Sequence, residues 1–217
     1  MQDLPIRYAL FDMDGTLTDT MDFWRYCVDE FLAEEGLSLT DEQCRALEGM
    51  PLSASMAFIH SLHLSERADR LCYEDLCRIL LVHYQNDATA KPGVAQMLAS
   101  LQKRGVIMGI ATLTPSPLAR VCLARVGLDG YFSFILGGEE YPEGKRETRI
   151  FLDAARLFGC SVEEMHLFED SYYSIKTARS LGIPIVGVAD KYQAHHKEAI
   201  MAASVAFFED GFTRRIK

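Results

Sequence analysis

The sequence of 217 residues lacks an apolar run long enough to cross a bilayer, and it is poor in basic residues. Lysine and arginine total 22, against 31 aspartates and glutamates, which gives a net charge of −9. Nucleic acids and anionic membranes both repel a chain with this balance. We therefore expect neither of them as a partner.

The six cysteines form no CxxC motif and are scattered along the chain. Residues 1–7 lack the basic-then-apolar pattern of a secretory signal, so we expect a cytoplasmic protein with reduced thiols. Two histidine pairs, His60/His63 and His195/His196, have no further ligands at the spacing of a structural zinc site. We interpret both pairs as surface residues.

What the sequence does contain is a short apolar segment that runs into two carboxylates. Residues 8–11 (Tyr-Ala-Leu-Phe) have the character of a buried parallel strand, and Asp12, Asp14 and Gly15 follow. Ligands of open α/β sheets bind at the carboxyl ends of the strands. Two close carboxylates repel each other, so one keeps its proton or a cation neutralises them. The pattern indicates bound Mg²⁺ and acid–base work beside a carboxylate nucleophile, with a solvated turn as the alternative.

The rest of the chain shows two different sequence patterns. Residues 18–88, which we call the helical insert, show helical periodicity and no clear strand, whereas strand and helix signals alternate from residue 89 to the end. We predict an α/β fold in which residues 1–17 and 89–217 form a doubly wound parallel sheet domain. The insert would be a separate all-helical domain.

Local signals predict where helices of the insert begin and end. Asp19 or Thr20 can cap a first helix that Gly36 ends, and residues 40–43 (Thr-Asp-Glu-Gln) form a capping-box pattern for the second. Ser65 is predicted to cap a long last helix.

Polar side chains stand at the ends of later strands as well. Thr112 follows the apolar segment 106–111, and the acids Glu169 and Asp170 follow the segment 166–168. Phosphoryl transfer needs donors for the non-bridging oxygens and a cation for developing charge, and Lys145 is a candidate for the second need. Taken alone, Thr112 is more often explained by helix capping and Lys145 by a solvated surface, and the helix dipole explains one of the two acids.

Taken together, the motifs resemble those of the haloacid dehalogenase superfamily, in its phosphatase and phosphomutase form. Residues 11–20 (Phe-Asp-Met-Asp-Gly-Thr-Leu-Thr-Asp-Thr) resemble the first motif, and Thr112, Lys145 and residues 169–171 (Glu-Asp-Ser) resemble the second, third and fourth. The helical insert has the position of the C1 helical cap of this family. The chain departs from the pattern at Leu113, at Arg146, where proline is usual, and at Ser174.

The resemblance implies a Rossmann-like core and a Mg²⁺-dependent phosphatase. Asp12 would be the nucleophile that forms an aspartyl-phosphate, and Asp14 the general acid and base. The phosphoryl oxygens would be held by Thr112, Lys145 and the backbone N–H groups of Met13 and Leu113. The metal ligands would be Asp12, the backbone carbonyl of Asp14, Asp170 and, directly or as a close neighbour, Glu169.

The same resemblance places Trp24 and Arg25 of the insert near the substrate. We expect a small phosphorylated metabolite as substrate, and a monomer or weak homodimer. A β-phosphoglucomutase-like sugar-phosphate mutase is the alternative, and a non-catalytic binding module is a second. Relatives that are mutases carry a histidine where Trp24 stands and an arginine in the segment matching residues 50–53, which has none here. Both differences favour a hydrolase.

Overall fold

A sheet of seven strands forms the centre of the structure, a computed structural model that describes residues 4–47 and 49–217. The predicted core segment 1–17 therefore begins outside the described residues. The strands are β1 Tyr8–Phe11, β2 Ile107–Ala111, β3 Ile135–Leu136, β4 Met165–Glu169, β5 Ile185–Val188, β6 Ala206–Asp210 and β7 Arg214–Arg215. Their order is β3-β2-β1-β4-β5-β6-β7, and all neighbours are parallel except β6 and β7.

The first strand lies in the middle of this order, between β2 and β4. Phe11 is opposite Ile110 of β2 and Phe168 of β4. Because the three strands are parallel and in register, the residues that follow them meet at one edge of the sheet. This register brings the positions after Phe11, Ala111 and Phe168 together.

Helices cover both faces of the sheet. After the insert helices α1 Met21–Leu32, α2 Asp41–Ala46, α3 Leu52–Ser61 and α4 Tyr73–Asn86 come α5 Val94–Lys103, α6 Ser116–Arg125, α7 Arg149–Phe158, α8 Tyr172–Ser180 and α9 Lys197–Ala203. Alternate residues of β1 supply two apolar clusters. Ala9 and Phe11 pack with α5, α6 and the insert, while Tyr8 and Leu10 pack with α7, α8 and α9. The predicted doubly wound α/β fold is confirmed.

Two local predictions in the insert are confirmed. The Thr40 hydroxyl accepts the backbone N–H of Gln43 at 3.3 Å, and the Gln43 side chain accepts the backbone N–H of Thr40 at 2.8 Å. Gly36 has φ +66° and ends the first helix after one further 3₁₀ turn. This left-handed conformation favours glycine.

The prediction that Ser65 caps the last helix of the insert is wrong, because α4 begins at Tyr73. The Ser65 hydroxyl instead accepts the backbone N–H of Ala68, at a short 3₁₀ turn, Ala68–Arg70. Leu71 then leaves helical geometry, and its side chain is buried in the core. Burial of this leucine outweighs the local capping preference of Ser65.

The sequence did not predict α9 or the edge strand β7. Strand β7 consists of Arg214 and Arg215 and pairs antiparallel with β6. Its charged residues suit an exposed sheet edge but lack the apolar pattern by which strands are recognised. Within the described residues, no helix is both long and apolar enough to cross a membrane.

Candidate active site

The carboxyl edge of the central strands gathers most of the predicted site residues. Asp12 follows β1, Thr112 follows β2, Glu169 is the last residue of β4, and Asp170 comes directly after it. All four side chains are buried. The parallel register therefore brings together residues that are more than 150 positions apart in the sequence.

Lys145 lies between two of these acids. It is 1% exposed and is carried by the 3₁₀ turn Gly144–Arg146, which Gly144 enters with φ +63°. Its ammonium group donates to Asp12 Oδ1 and, at 3.0 Å, to Glu169 Oε2. Burial opposes a charged lysine, but the two carboxylates outweigh burial and raise the pKa of Lys145. The lysine therefore stays charged and fixes Asp12 in place.

Glu169 is held by four donors. Oε2 accepts Lys145 and the hydroxyl of Ser174, the latter at 2.6 Å, and Oε1 accepts the backbone N–H groups of Asp170 and Ser171 at 3.1 and 3.0 Å. Ser174, a departure from the family pattern, thus has a definite contact. These bonds fix Glu169 in position, and Glu169 in turn orients Lys145 beside Asp12.

Three carboxylates at this edge could share a cation. Oxygens of Asp12, Glu169 and Asp170 lie within 4.8 Å of one another. Burial and the charge of Glu169, partly offset by Lys145, raise the pKa of Asp12 to about 7. Burial and the charges of Glu169 and Asp12 raise that of Asp170. One lysine cannot neutralise three carboxylates, and their hard oxygen atoms fit a divalent cation such as Mg²⁺.

Gly15 permits this close packing of acids. Its φ is +86°, and a Cβ atom there would lie 2.7 Å from Asp170 Oδ2. The hydroxyl of Thr16 donates to Asp170 Oδ1 at 2.8 Å. The turn after Asp14 therefore both admits Asp170 and orients it.

The side chain of Asp14 occupies a different environment from that of Asp12. Its Oδ1 accepts hydroxyls of Thr20 at 2.6 Å and Tyr84 at 2.8 Å, and its Oδ2 accepts that of Thr114 at 2.6 Å. No cation touches this carboxylate among the described residues. The metal role predicted for Asp14 involves its backbone carbonyl and stays a prediction.

The groups predicted to hold a phosphoryl group can each still donate a hydrogen bond. The Thr112 hydroxyl oxygen accepts the backbone N–H of Thr114 at 3.1 Å, which leaves its own proton to donate. The backbone N–H groups of Met13 and Leu113 donate to no other described residue. The leucine in place of a polar residue at position 113 therefore does not remove the backbone donor.

A cavity of about 270 Å³ lies over these groups, between the sheet edge and the insert. Asp12 and Thr112 line one side of it, and Trp24 and Arg25 of α1 line the other. Most of the wall contributed by the insert is apolar and includes Met21, Val28, Cys44, Leu52 and Leu76. The predicted substrate residues thus border the same space as the predicted catalytic ones.

The insert is closed against the sheet domain. A Cβ atom at Gly49, whose φ is +72°, would lie 2.6 Å from the ring of Tyr173. One at Gly144 would lie 3.2 Å from Pro51 of the insert. Gly49 lies against Tyr173, and Pro51 lies against the turn that carries Lys145.

Several residues at the site were not predicted. Thr20, Tyr84 and Thr114 hold Asp14, and Arg45 and His195 border the cavity. His195, interpreted as a surface residue, is exposed and also faces this space. The one sequence signal for Tyr84 is a phenol in the buried stripe that also contains Leu76 and Leu80.

Arg146 stands where the resembled family usually has proline. Its guanidinium group lies 4.8 Å from the centroid of the Tyr173 ring. The backbone carbonyl of Arg146 accepts the hydroxyl of Thr177 at 3.2 Å. Both contacts tie the turn that carries Lys145 to α8.

The chain matches a known protein family over most of its length. The family model described as haloacid dehalogenase-like hydrolase matches residues 9–188. Phosphoglycolate phosphatase from Yersinia pestis is 29% identical over 201 residues, which cover 90% of this chain and 85% of the relative. Phosphoglycolate phosphatase from Pseudomonas savastanoi pv. phaseolicola is 26% identical over 215 residues, or 97% and 78% of the two chains.

Among solved structures, CbbY from Rhodobacter sphaeroides in complex with phosphate has the same fold. Its TM-score is 0.79 and its sequence identity 22%, with 96% of each chain covered. The family match includes Asp12, Thr112, Lys145 and Asp170, which all lie between residues 9 and 188.

Proposed function

The chain belongs to the haloacid dehalogenase-like hydrolase family, and we propose that it is a Mg²⁺-dependent phosphatase of a small phosphate monoester. The observation that carries this proposal is the contact of Lys145 with Asp12 inside a group of three buried carboxylates. Such a group can hold a phosphoryl oxygen and a cation beside a carboxylate nucleophile. The names of the phosphoglycolate phosphatase relatives support the same reaction class.

In the proposed reaction, Asp12 attacks the phosphorus atom of the substrate. The bond from phosphorus to the ester oxygen breaks, and Asp14, which enters this step protonated, gives its proton to that oxygen and becomes a carboxylate. An aspartyl-phosphate remains on Asp12. Asp14 then takes a proton from water, which attacks the phosphorus and releases inorganic phosphate and free Asp12. This sequence divides one difficult displacement into two easier ones.

The remaining residues bind and orient. Lys145, Thr112 and the backbone N–H groups of Met13 and Leu113 would hold the phosphoryl oxygens. Asp12, Asp170, the carbonyl of Asp14 and, directly or as a neighbour, Glu169 would hold the metal. When bound, Mg²⁺ supplies positive charge that offsets the carboxylates and the phosphoryl group.

We further propose that residues 1–17 and 89–217 form the catalytic core, and that the helical insert is a cap domain that selects the substrate. Trp24 and Arg25 border the cavity, and Arg45 adds a second cation to its rim. Arg25 is 22% exposed and pairs with the exposed Asp41 at 3.0 Å, a pairing that solvent weakens. Two arginines in a mostly apolar wall favour a small substrate with a second anionic group.

A phosphate-release assay over a panel of monoesters tests this function. The panel should include phosphoglycolate, sugar phosphates, nucleoside monophosphates and p-nitrophenyl phosphate, each with Mg²⁺ and with a chelator. We expect Mg²⁺-dependent release, greatest for substrates with a second anion. Arg25→Gln and Arg45→Gln should raise KM for those substrates and leave KM for p-nitrophenyl phosphate unchanged.

The same assay separates the alternatives. Conversion of a sugar 1-phosphate without phosphate release would indicate a mutase instead. No release from any substrate with Mg²⁺ would contradict the phosphatase proposal.

A further inference from the structure

The phenol of Tyr84 is the junction of the polar contacts on the insert side of the site. Tyr84 is carried by α4 and is 0% exposed. Its hydroxyl donates to Asp14 Oδ1 at 2.8 Å and accepts the indole N–H of Trp24 at 2.8 Å. One phenol therefore connects a side chain of the cavity wall with the acid–base candidate.

The donors and acceptors around Asp14 can be assigned from the groups that carry protons. An indole N–H can only donate, so Tyr84 must be the acceptor in its contact with Trp24. Tyr84 and Thr114 each have one hydroxyl proton, and their oxygens lie 3.0 Å apart. Since both can reach Asp14, at 2.8 and 2.6 Å, the carboxylate satisfies both protons at once.

Burial of this hydroxyl would be costly without partners, and its partners Trp24, Asp14 and Thr114 all belong to the site. A phenol keeps its proton at neutral pH, so Tyr84 remains a donor. The packing of α4 against α1 and α6 holds the ring between the insert and the core. Tyr84 thus connects the insert directly to Asp14.

We propose that Tyr84 is a positioning residue for Asp14, and that Trp24 links the filling of the cavity to the position of Asp14 through the Tyr84 hydroxyl. This inference rests on the proposed function, because it assigns Asp14 the role of protonating the leaving oxygen. It adds two residues of the insert to the acid–base step. Neither of them touches the phosphoryl group in this role.

The dependence of the rate on the leaving group distinguishes positioning from a structural role. Nitrophenolate leaves without help from an acid, whereas an alkoxide needs a proton. The ratio kcat/KM depends on steps up to departure of the alcohol. In Tyr84→Phe we expect kcat/KM to fall about tenfold or more for the best alkyl phosphate of the panel, a fraction of the full contribution of general acid catalysis. For p-nitrophenyl phosphate it should stay nearly unchanged.

A matched control removes the same atom elsewhere. Tyr141 is also buried, and its hydroxyl donates to Asp153 at 3.0 Å, on α7. Tyr141→Phe should leave the ratio of the two kcat/KM values as in the wild type. A similar change of ratio in Tyr141→Phe would mean that loss of a buried phenol, and not the contact with Asp14, is responsible.

A second pair of variants serves if Tyr84→Phe folds poorly. Thr114→Val removes another hydroxyl from Asp14 with little change of shape, and Thr114→Ser retains it. We expect selective loss for alkyl phosphates in Thr114→Val and recovery in Thr114→Ser.

Tryptophan fluorescence tests the contact between Trp24 and Tyr84 without any turnover of substrate. Trp24 is the only tryptophan of the chain, so its emission reports the contact with Tyr84 directly. We expect a shifted emission maximum in Tyr84→Phe and an unshifted one in Tyr141→Phe. An identical spectrum in all three proteins would overturn the proposed link.

The kinetic outcomes separate the two proposals. If the wild type releases phosphate and Tyr84→Phe loses activity equally for both substrates, or loses none, the positioning role is wrong while the phosphatase proposal stands. If the wild type releases no phosphate from any ester, both proposals fail.

Discussion

The two carboxylates of the first motif, Asp12 and Asp14, lie two residues apart and are held in opposite ways. Asp12 belongs to the sheet side of the site, where Lys145 balances it among buried acids. Asp14 faces the insert and accepts three neutral hydroxyls, two from the insert (Thr20 and Tyr84) and one from Thr114 of the core. In the proposed function, this difference separates an ionic region, which would bind phosphate and metal, from a region of neutral hydroxyls, where Asp14 would transfer a proton.

This separation has a physical cause. A buried charge is stable only with partners, and the ends of parallel strands supply them at short range. The insert instead offers apolar side chains and hydroxyls, which can accommodate different substrates at little electrostatic cost. In the proposed function, the sheet side would therefore carry the phosphoryl transfer, and the insert side would select the substrate and position Asp14.

The largest effect should come from removal of the nucleophile. We expect Asp12→Asn to reduce phosphate release from every substrate by about 10⁴-fold or more, because only binding and electrostatic stabilisation remain. Asp129→Asn, a matched change at an exposed residue, should have wild-type activity. Activity that survives in Asp12→Asn would reject the assignment of the nucleophile.

Loss of the Lys145 charge should have the second largest effect. Lys145→Met should reduce kcat by roughly 10²–10³-fold, the usual loss when one stabilising donor is removed. The free energy of unfolding should fall by about 3 kcal/mol at neutral pH, because buried acids lose their partner. Phosphate release and thermal unfolding measure the two effects, with the exposed Lys176→Met as control. Equal behaviour of the two lysine variants would contradict the ionic description of the sheet side.

Metal removal should reveal the repulsion among the acids as a pH dependence of stability. The pKa of Asp12 is raised from 3.8 to about 7 by burial and Glu169, so between these values the folded state holds more protons than the unfolded chain. The free energy of unfolding of the metal-free protein should therefore fall as pH rises through this range. Mg²⁺ at about 100 times its Kd should restore about 2.7 kcal/mol at neutral pH.

Chemical denaturation at several pH values, with and without a chelator, measures this dependence. In the absence of metal, Asp12→Asn should flatten the decline. A stability that instead rises with pH over the same interval in the metal-free wild type would contradict the prediction.

The smallest effect should come from the contacts that join the insert to the core at Asp22. Its carboxylate accepts Lys191 at 2.7 Å and the hydroxyl of Tyr192, and these bonds lower its pKa. The contribution to stability is therefore present above the ordinary pKa and is lost as pH falls through the lowered one. Because Asp22 and Lys191 are 47% and 57% exposed, Asp22→Asn should cost less than about 1 kcal/mol.

A double-mutant cycle with Lys191→Gln isolates this contact. The two changes should be less than additive in thermal unfolding at neutral pH, and the coupling should disappear in strong acid. A coupling that persists in strong acid would show that the pair does not act through the charge of Asp22.

The sequence predicted which residues meet at the sheet edge, because its signals there are local. Apolar segments that end at Asp12, Thr112 and Glu169 indicate buried strands, and parallel pairing brings their ends together whatever lies between them. The resemblance identified Lys145 as a site residue. Without it, Lys145 would be interpreted as a solvated surface residue. The fold class followed from the same alternation of strands and helices.

The sequence predicted the side of the insert less well because its contacts depend on how helices pack. Tyr84 reaches Asp14 across 70 residues, and in the sequence it is one more large residue in an apolar stripe. Thr20 was a candidate helix cap, but its hydroxyl donates to Asp14 and caps nothing. Ser65 had a suitable capping pattern, yet burial of Leu71 decided where α4 begins.

The most direct test of the account is to identify the phosphorylated residue. The enzyme would be mixed with its best substrate and Mg²⁺, quenched in acid within the first turnover, digested and analysed by mass spectrometry. We expect the mass of one added phosphoryl group on the peptide that contains Asp12, and none in Asp12→Asn. A phosphoryl group on another residue, or active enzyme that never carries one, would contradict the assignment of Asp12 as the nucleophile.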